Sequence, residues 1–132
     1  MKKKMVILAV VMLAGISWWL TPAQAQSLVG VWRSQMITTM GPAFSEVIFM
    51  PNGTFTKTFR YGSFFTRDVG RYTVGQGYVH FTIEDHEPKY YLGRPMHWLK
   101  SETWLFQFEG SDRVIFEDRL TNSRWTAYRS SY

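Results

Sequence analysis

From Val31 onward the chain alternates apolar and polar residues with period two, and the phase changes at short intervals. From Phe55 to Tyr61 every second residue is aromatic except Lys57. From Val79 to Ile83 the odd positions are apolar, and His80, Thr82 and Glu84 lie between or after them. Such alternation, rich in aromatic and β-branched residues, predicts half-buried strands. Eight are predicted: Val31–Thr39, Phe44–Met50, Thr54–Tyr61, Asp68–Val74, Tyr78–Glu84, Glu102–Glu109, Arg113–Leu120 and Arg124–Arg129. Turn residues separate most of them: Pro51-Asn52-Gly53, Gly75-Gln76-Gly77, Gly110-Ser111-Asp112 and Thr121-Asn122-Ser123, with Gly62-Ser63 opening a loop. No capped 3.6-residue period interrupts them, so no helix is predicted there. Short sequential connections place neighbours in sequence side by side. Eight strands so joined make an up-and-down barrel or a two-sheet sandwich. The expected fold is the all-β antiparallel barrel, because closure removes exposed strand edges.

Alternation also assigns an inner face. Phe55, Phe59 and Tyr61 share theirs with Lys57; Val79, Phe81 and Ile83 form another; Trp104, Phe106 and Phe108 a third. Val114 and Phe116 face the same way as Asp118, and Tyr72 the same way as Val74. These sets would line a barrel. An eight-stranded barrel either fills with side chains or holds one small ligand. Lys57, Phe59, Tyr61, Tyr72, Phe81, Trp104 and Phe106 are therefore the candidate ligand-binding residues, against the alternative of plain packed core. Lys57 is the anomaly, since an ammonium on an apolar face is costly unless paired or hydrated. It is expected to bind a ligand carboxylate or phosphate, to extend its head to the rim, or to pair with Glu46 or Asp118.

Short motifs carry a resemblance. Gly30-Val31-Trp32, ahead of an eight-stranded meander, resembles the lipocalin-like members of the calycin superfamily. The stretch from Val47 to Phe55 resembles a hairpin of small bacterial lipocalin-like domains, and so does Gly70-Arg71-Tyr72-Thr73-Val74 followed by Gly77-Tyr78-Val79-His80-Phe81. The resemblance implies a small, often apolar molecule bound in the barrel mouth. It also implies that a basic residue of the last strand crosses the Trp32 ring, with Arg129 the best match and Arg124 the second. Gly30, Trp32 and Arg129 are on this ground structural, with Trp32 plugging the closed end. Barrels of this fold also serve as protein-binding inhibitors and structural modules.

One segment escapes the alternation. Asp85–Ser101 is long for a connection in a compact domain, and such loops often carry function. Tyr90, Tyr91, Arg94, Met96, His97 and Trp98 are types enriched at interfaces and form a candidate site for a protein partner, as in an exported inhibitor or an envelope-complex accessory subunit. The alternative is a lid that folds over one barrel end and buries Leu92, Met96 and Trp98.

The N-terminus changes the charge picture. Lys2-Lys3-Lys4, an apolar run over Met5–Leu20 and Ala23-Gln24-Ala25 read as a secretory signal peptide over residues 1–25, with a mature barrel domain over 26–132. The apolar run is 16 residues, short of the roughly 20 that span a bilayer, so no membrane span is expected after cleavage. The expected location is the periplasm or the medium. Of 15 lysines and arginines three lie in this segment, and none of the 10 acids does, so the net charge falls from +5 to +2. The remaining basic residues are interspersed with acids, which argues against a nucleic-acid footprint. With no cysteine, disulfides, thiolate metal sites and a lipid-modified N-terminal cysteine are excluded. His80, His86 and His97 lack zinc-ligand spacing. No spacing selects an acid–base pair, so no catalytic residue, metal or cofactor is assigned, and a non-enzymatic binder is expected.

Overall fold

The computed structural model describes residues 27–38 and 41–131. The signal segment, residues 1–25, and the expected mature start at Gln26 lie outside the described residues. Among the described residues ten strands follow one another: β1 Gly30–Thr38, β2 Gly41–Phe49, β3 Thr54–Tyr61, β4 Phe64–Gly75, β5 Tyr78–Glu87, β6 Tyr90–Tyr91, β7 Arg94–Pro95, β8 Ser101–Phe108, β9 Arg113–Asp118 and β10 Ser123–Ser130. Eight of them close an antiparallel barrel in the order β1-β10-β9-β8-β5-β4-β3-β2, and β6 and β7 pair as a separate hairpin. The order is up-and-down throughout, with hairpin-length connections everywhere but between β5 and β8.

The strands depart from the expected boundaries in two instructive places. β4 starts at Phe64 rather than Asp68, because Tyr61 pairs directly with Phe64 and Gly62-Ser63 is the whole turn. β5 runs on to Glu87 rather than ending at Glu84, with Asp85 to Glu87 paired to Arg67 to Val69 of β4. A bulge makes this extension possible. Gly70 pairs with Ile83 and Val69 with Asp85, so Glu84 is the extra residue. One extra residue inverts the pleat phase beyond it. Hence Val79, Phe81 and Ile83 are buried, and so is His86. Gly70 permits this close approach: a Cβ there would stand 2.0 Å from the Thr82 carbonyl oxygen.

The largest fully buried side chains are Trp32, Phe49, Phe55, Phe81, Phe116, Val79 and Val114. They come from the beginnings of β1, β3, β5 and β9 and from the end of β2, which antiparallel order gathers at one end of the barrel. Phe81 sits centrally, edge-on to Phe55 at 4.8 Å and to Trp104 at 4.7 Å between ring centroids. Val74, expected to line the interior beside Tyr72, lies next to the end of β4 and is 51% exposed.

Ser27, Leu28 and Val29 close this end. Leu28 is buried, and its carbonyl accepts the Trp32 indole N–H at 2.8 Å. The Arg129 guanidinium lies 4.3 Å from the Trp32 ring centroid. It donates to the carbonyls of Val29 (2.7 Å), Ser27 (3.0 Å) and Ser111 (3.0 Å). Gly30 leaves room for it, since a Cβ would approach Arg129 Nη1 to 2.8 Å at a φ of +131°. The opposite end is looser. β1 and β10 pair only over Val31 to Arg33 and Tyr128 to Ser130, so their remaining halves diverge toward that end.

Candidate ligand cavity

The divergence of β1 from β10 opens a cavity of about 440 Å³. Its apolar wall comes from Trp32, Val47, Trp104, Trp125 and Ala127, with Phe59 and Met36. Its polar lining includes Ser34 and Ser45, whose hydroxyls share a 2.5 Å hydrogen bond, and Thr66, Thr121 and Ser123. Of the five charged residues at the cavity, Glu46 pairs outward with Arg33, and four point in from four strands: Lys57 (β3), Asp68 (β4), Glu102 (β8) and Asp118 (β9). Their inward direction follows from the pleat. Lys57 alternates with Phe55 and Phe59, Glu102 with Trp104, and Asp118 with Phe116.

Lys57 is held on every side. Its ammonium donates to the Glu102 carboxylate and lies 3.8 Å from Asp68 Oδ2. The rings of Phe81 and Trp104 stand 5.0 and 4.9 Å from it, so its charge also meets two π-faces. The side chain is 15% exposed and that of Glu102 is 11% exposed. Burial pushes the Lys57 ammonium down from 10.5 to about 8, against the pull of the Asp68 and Asp118 carboxylates. Asp118 does not pair with Lys57 at contact distance; its Oδ1 accepts the Leu120 amide at 3.0 Å. Glu46, the other expected partner, lies on the outer face of β2 and pairs with Arg33 at 2.7 Å. The β2 faces are the reverse of what Phe44 and Ile48 suggest: Ala43, Val47 and Phe49 are buried while Phe44 is exposed. With three inward carboxylates against one ammonium, the cavity repels an anion rather than attracting one.

A second layer backs the charges. His86 Nδ1 hydrogen-bonds to Asp68 Oδ1, and the imidazole stacks on Trp98 with centroids 5.2 Å apart and planes 14° from parallel. Lys100 covers Trp98 at 4.2 Å. His86 Nε2 and the indole nitrogens of Trp98 and Trp104 are buried with no hydrogen-bond partner among the described residues.

Of the seven ligand-binding candidates, Lys57, Phe59 and Trp104 line the cavity. Phe81 is fully buried against the other side of Trp104. Tyr72 belongs to the closed end, edge-on to Phe49 at 4.9 Å and donating its hydroxyl to the Met50 carbonyl at 2.7 Å. Phe106 packs on Phe108 at 5.5 Å, and Tyr61 stands near the open end with its hydroxyl buried, neither of them lining the cavity. Asp68, Glu102 and Trp125 line the cavity as well, outside the candidate set. The first two were readable, since each keeps the phase of an aromatic residue two or four positions on. His86 was not, because the bulge that turns it inward leaves no mark in the alternation.

The connection between β5 and β8 stands beside the mouth. None of residues 88–100 lines the cavity. Tyr91 meets Phe64 edge-on at 5.0 Å, and the Met96 amide donates to the Lys89 carbonyl at 2.8 Å. Trp98 is half-buried against His86, but Leu92 is 85% exposed and Tyr90 66% exposed. A lid burying Leu92 is therefore corrected: the tip points to solvent, with Arg94 and His97 also exposed.

Among the described residues no three histidines or acids are grouped to hold a metal ion, and no helix is long and apolar enough to cross a membrane. No protein-family model matches the chain, and no curated protein matches it.

Proposed function

We propose that this protein is an exported, non-enzymatic binding protein that holds one small amphipathic molecule in a lipocalin-like barrel. The observation that carries the proposal is the cavity itself. It is about 440 Å³, within the range of small-molecule sites, walled by tryptophans on one side and ringed by hydroxyl and charged groups on another. The acid excess selects a neutral or cationic molecule over a carboxylate or phosphate. The lysine-rich N-terminus and the Ala23-Gln24-Ala25 site support export to the periplasm or the medium, with residues 26–132 as the mature domain.

Native mass spectrometry of protein purified from its own host is the test. The expected spectrum shows a mature chain beginning at Gln26 with a small-molecule adduct. Thr66→Phe, which fills the cavity from β4, is expected to remove the adduct without lowering the melting temperature. A bare chain that also fails to bind neutral aromatic probes would sink the proposal. A second reading, a protein-interaction module, is favoured by the exposed Tyr90 and Leu92. Replacing residues 90–98 with Gly/Ser and recovering the same partners in a pull-down would count against it.

A further inference from the structure

We propose that Lys57 captures carbonyl compounds: its amine condenses reversibly with a neutral aldehyde or ketone in the cavity and forms an imine there. This rests on the cavity admitting a small molecule, and it adds the chemical class and the bond.

The position comes first. Lys57 lines a cavity reachable from one end of the barrel, and its nitrogen stands 5.0 and 4.9 Å from the ring centroids of Phe81 and Trp104. Lys89, by contrast, has a side chain 53% exposed and its ammonium on Asp85 at 2.7 Å. An amine becomes nucleophilic only when it loses its proton, and a desolvated lysine does so most readily. Falling from 10.5 to about 8 raises the neutral fraction at pH 7 roughly 300-fold.

The neighbours supply the rest of the chemistry. Glu102, in contact with Nζ, takes the proton from the ammonium. The nitrogen lone pair then forms the N–C bond while the C=O π electrons move to oxygen, and one of the two nitrogen protons passes to that oxygen, giving a neutral carbinolamine. The proton held by Glu102 then goes to the carbinolamine hydroxyl, which leaves as water as the nitrogen lone pair forms the C=N bond of the protonated imine. One amine and one carbonyl give one imine and one water, and nothing is oxidised or reduced. The protonated imine carries the same positive charge as the ammonium it replaces. The same carboxylates and π-faces therefore hold reactant and product alike. The acid excess explains why the carbonyl compound is neutral: an anionic one would meet Asp68, Glu102 and Asp118 before reaching the amine.

The test is reductive trapping. The purified protein is incubated at pH 7 with 2-naphthaldehyde and sodium cyanoborohydride, and labelled lysines are found by peptide mass mapping. Binding of 2-naphthalenemethanol, which has no carbonyl, is followed in parallel by tryptophan quenching. Lys57 is expected to label at least tenfold faster than Lys89 and Lys100, with a rate that rises through about pH 8. Lys57→Arg keeps the cation but not the nucleophile, and is expected to lose that label. If the alcohol binds but Lys57 labels no faster than Lys89 and Lys100, carbonyl capture is overturned and the binding cavity stands. If the alcohol does not bind and Lys57 is not preferred, both are overturned.

Discussion

Lys57 and Glu102 form a buried pair whose charges depend on each other. Leaving a buried charge wholly unpaired costs about 3–5 kcal/mol, whereas replacing both partners with apolar residues is often neutral. Glu102→Ala leaves Lys57 the Asp68 carboxylate at 3.8 Å, so it is expected to lose less, about 1–3 kcal/mol in urea denaturation, and Lys57→Met/Glu102→Met to recover most of it. Failure of the double variant to recover would mean that the pair does more than neutralise itself. The pH dependence has a definite sign. The unfolded chain keeps the Lys57 proton to about 10.5, and the folded chain releases it near 8. Between these values the unfolded state binds more protons, so the contribution of Lys57 to stability rises with pH there and is flat below. Measured from pH 7 to 10, wild type is expected to gain on Lys57→Met. A gap that narrows instead would mean the buried ammonium keeps its proton.

At the scale of elements, the bulge between β4 and β5 determines what backs the cavity. Without Glu84 as the extra residue, His86 would point outward and Asp68 would lose its inner-shell partner. Gly70→Ala places a methyl 2.0 Å from the Thr82 oxygen, so the strands must separate or slip. The expected cost is about 1–3 kcal/mol, with the largest amide NMR shifts in β4 and the end of β5. Shifts spread evenly over the barrel would contradict a local register device. The 88–100 segment is held to the barrel by Trp98 against His86 and by Tyr91 against Phe64. Trp98→Ala is expected to speed proteolytic nicking within residues 88–100 while leaving the barrel protected. These features were illegible for a common reason. Alternation reports the phase of a strand, and a bulge resets that phase without changing composition. On β2 the alternation is ambiguous for a different reason: a barrel strand tolerates apolar residues such as Phe44 on its outer face.

For the whole molecule, the two barrel ends do different jobs. One is solid and tied across the seam by Arg129; the other diverges and encloses space. Arg129→Met keeps much of the packing on Trp32 but loses three charge-assisted hydrogen bonds to carbonyls. The expected loss is about 2–4 kcal/mol, with faster amide exchange in Val29–Trp32 and the cavity otherwise still able to bind. A binding defect as large as the stability defect would show that the ends are coupled. Such a division of labour lets a small barrel without disulfides keep a cavity: the packed aromatic cluster supports stability, and the void is confined to one half.

The sequence by itself determined the number of barrel strands, their antiparallel succession and most inward positions, including those of Lys57 and Asp118. These follow from local rules, since the pleat has period two and turn residues mark its ends. It also placed an arginine of the last strand near Trp32, through family resemblance. Only the tertiary structure decided that the interior is packed at one end and hollow at the other. That depends on how far β1 and β10 pair across the seam, a contact between residues about 100 positions apart. It decided as well that Lys57 meets Glu102 rather than Glu46. Barrel closure brings β8 opposite β3 across the interior, and no period along the chain records a distance across a cavity.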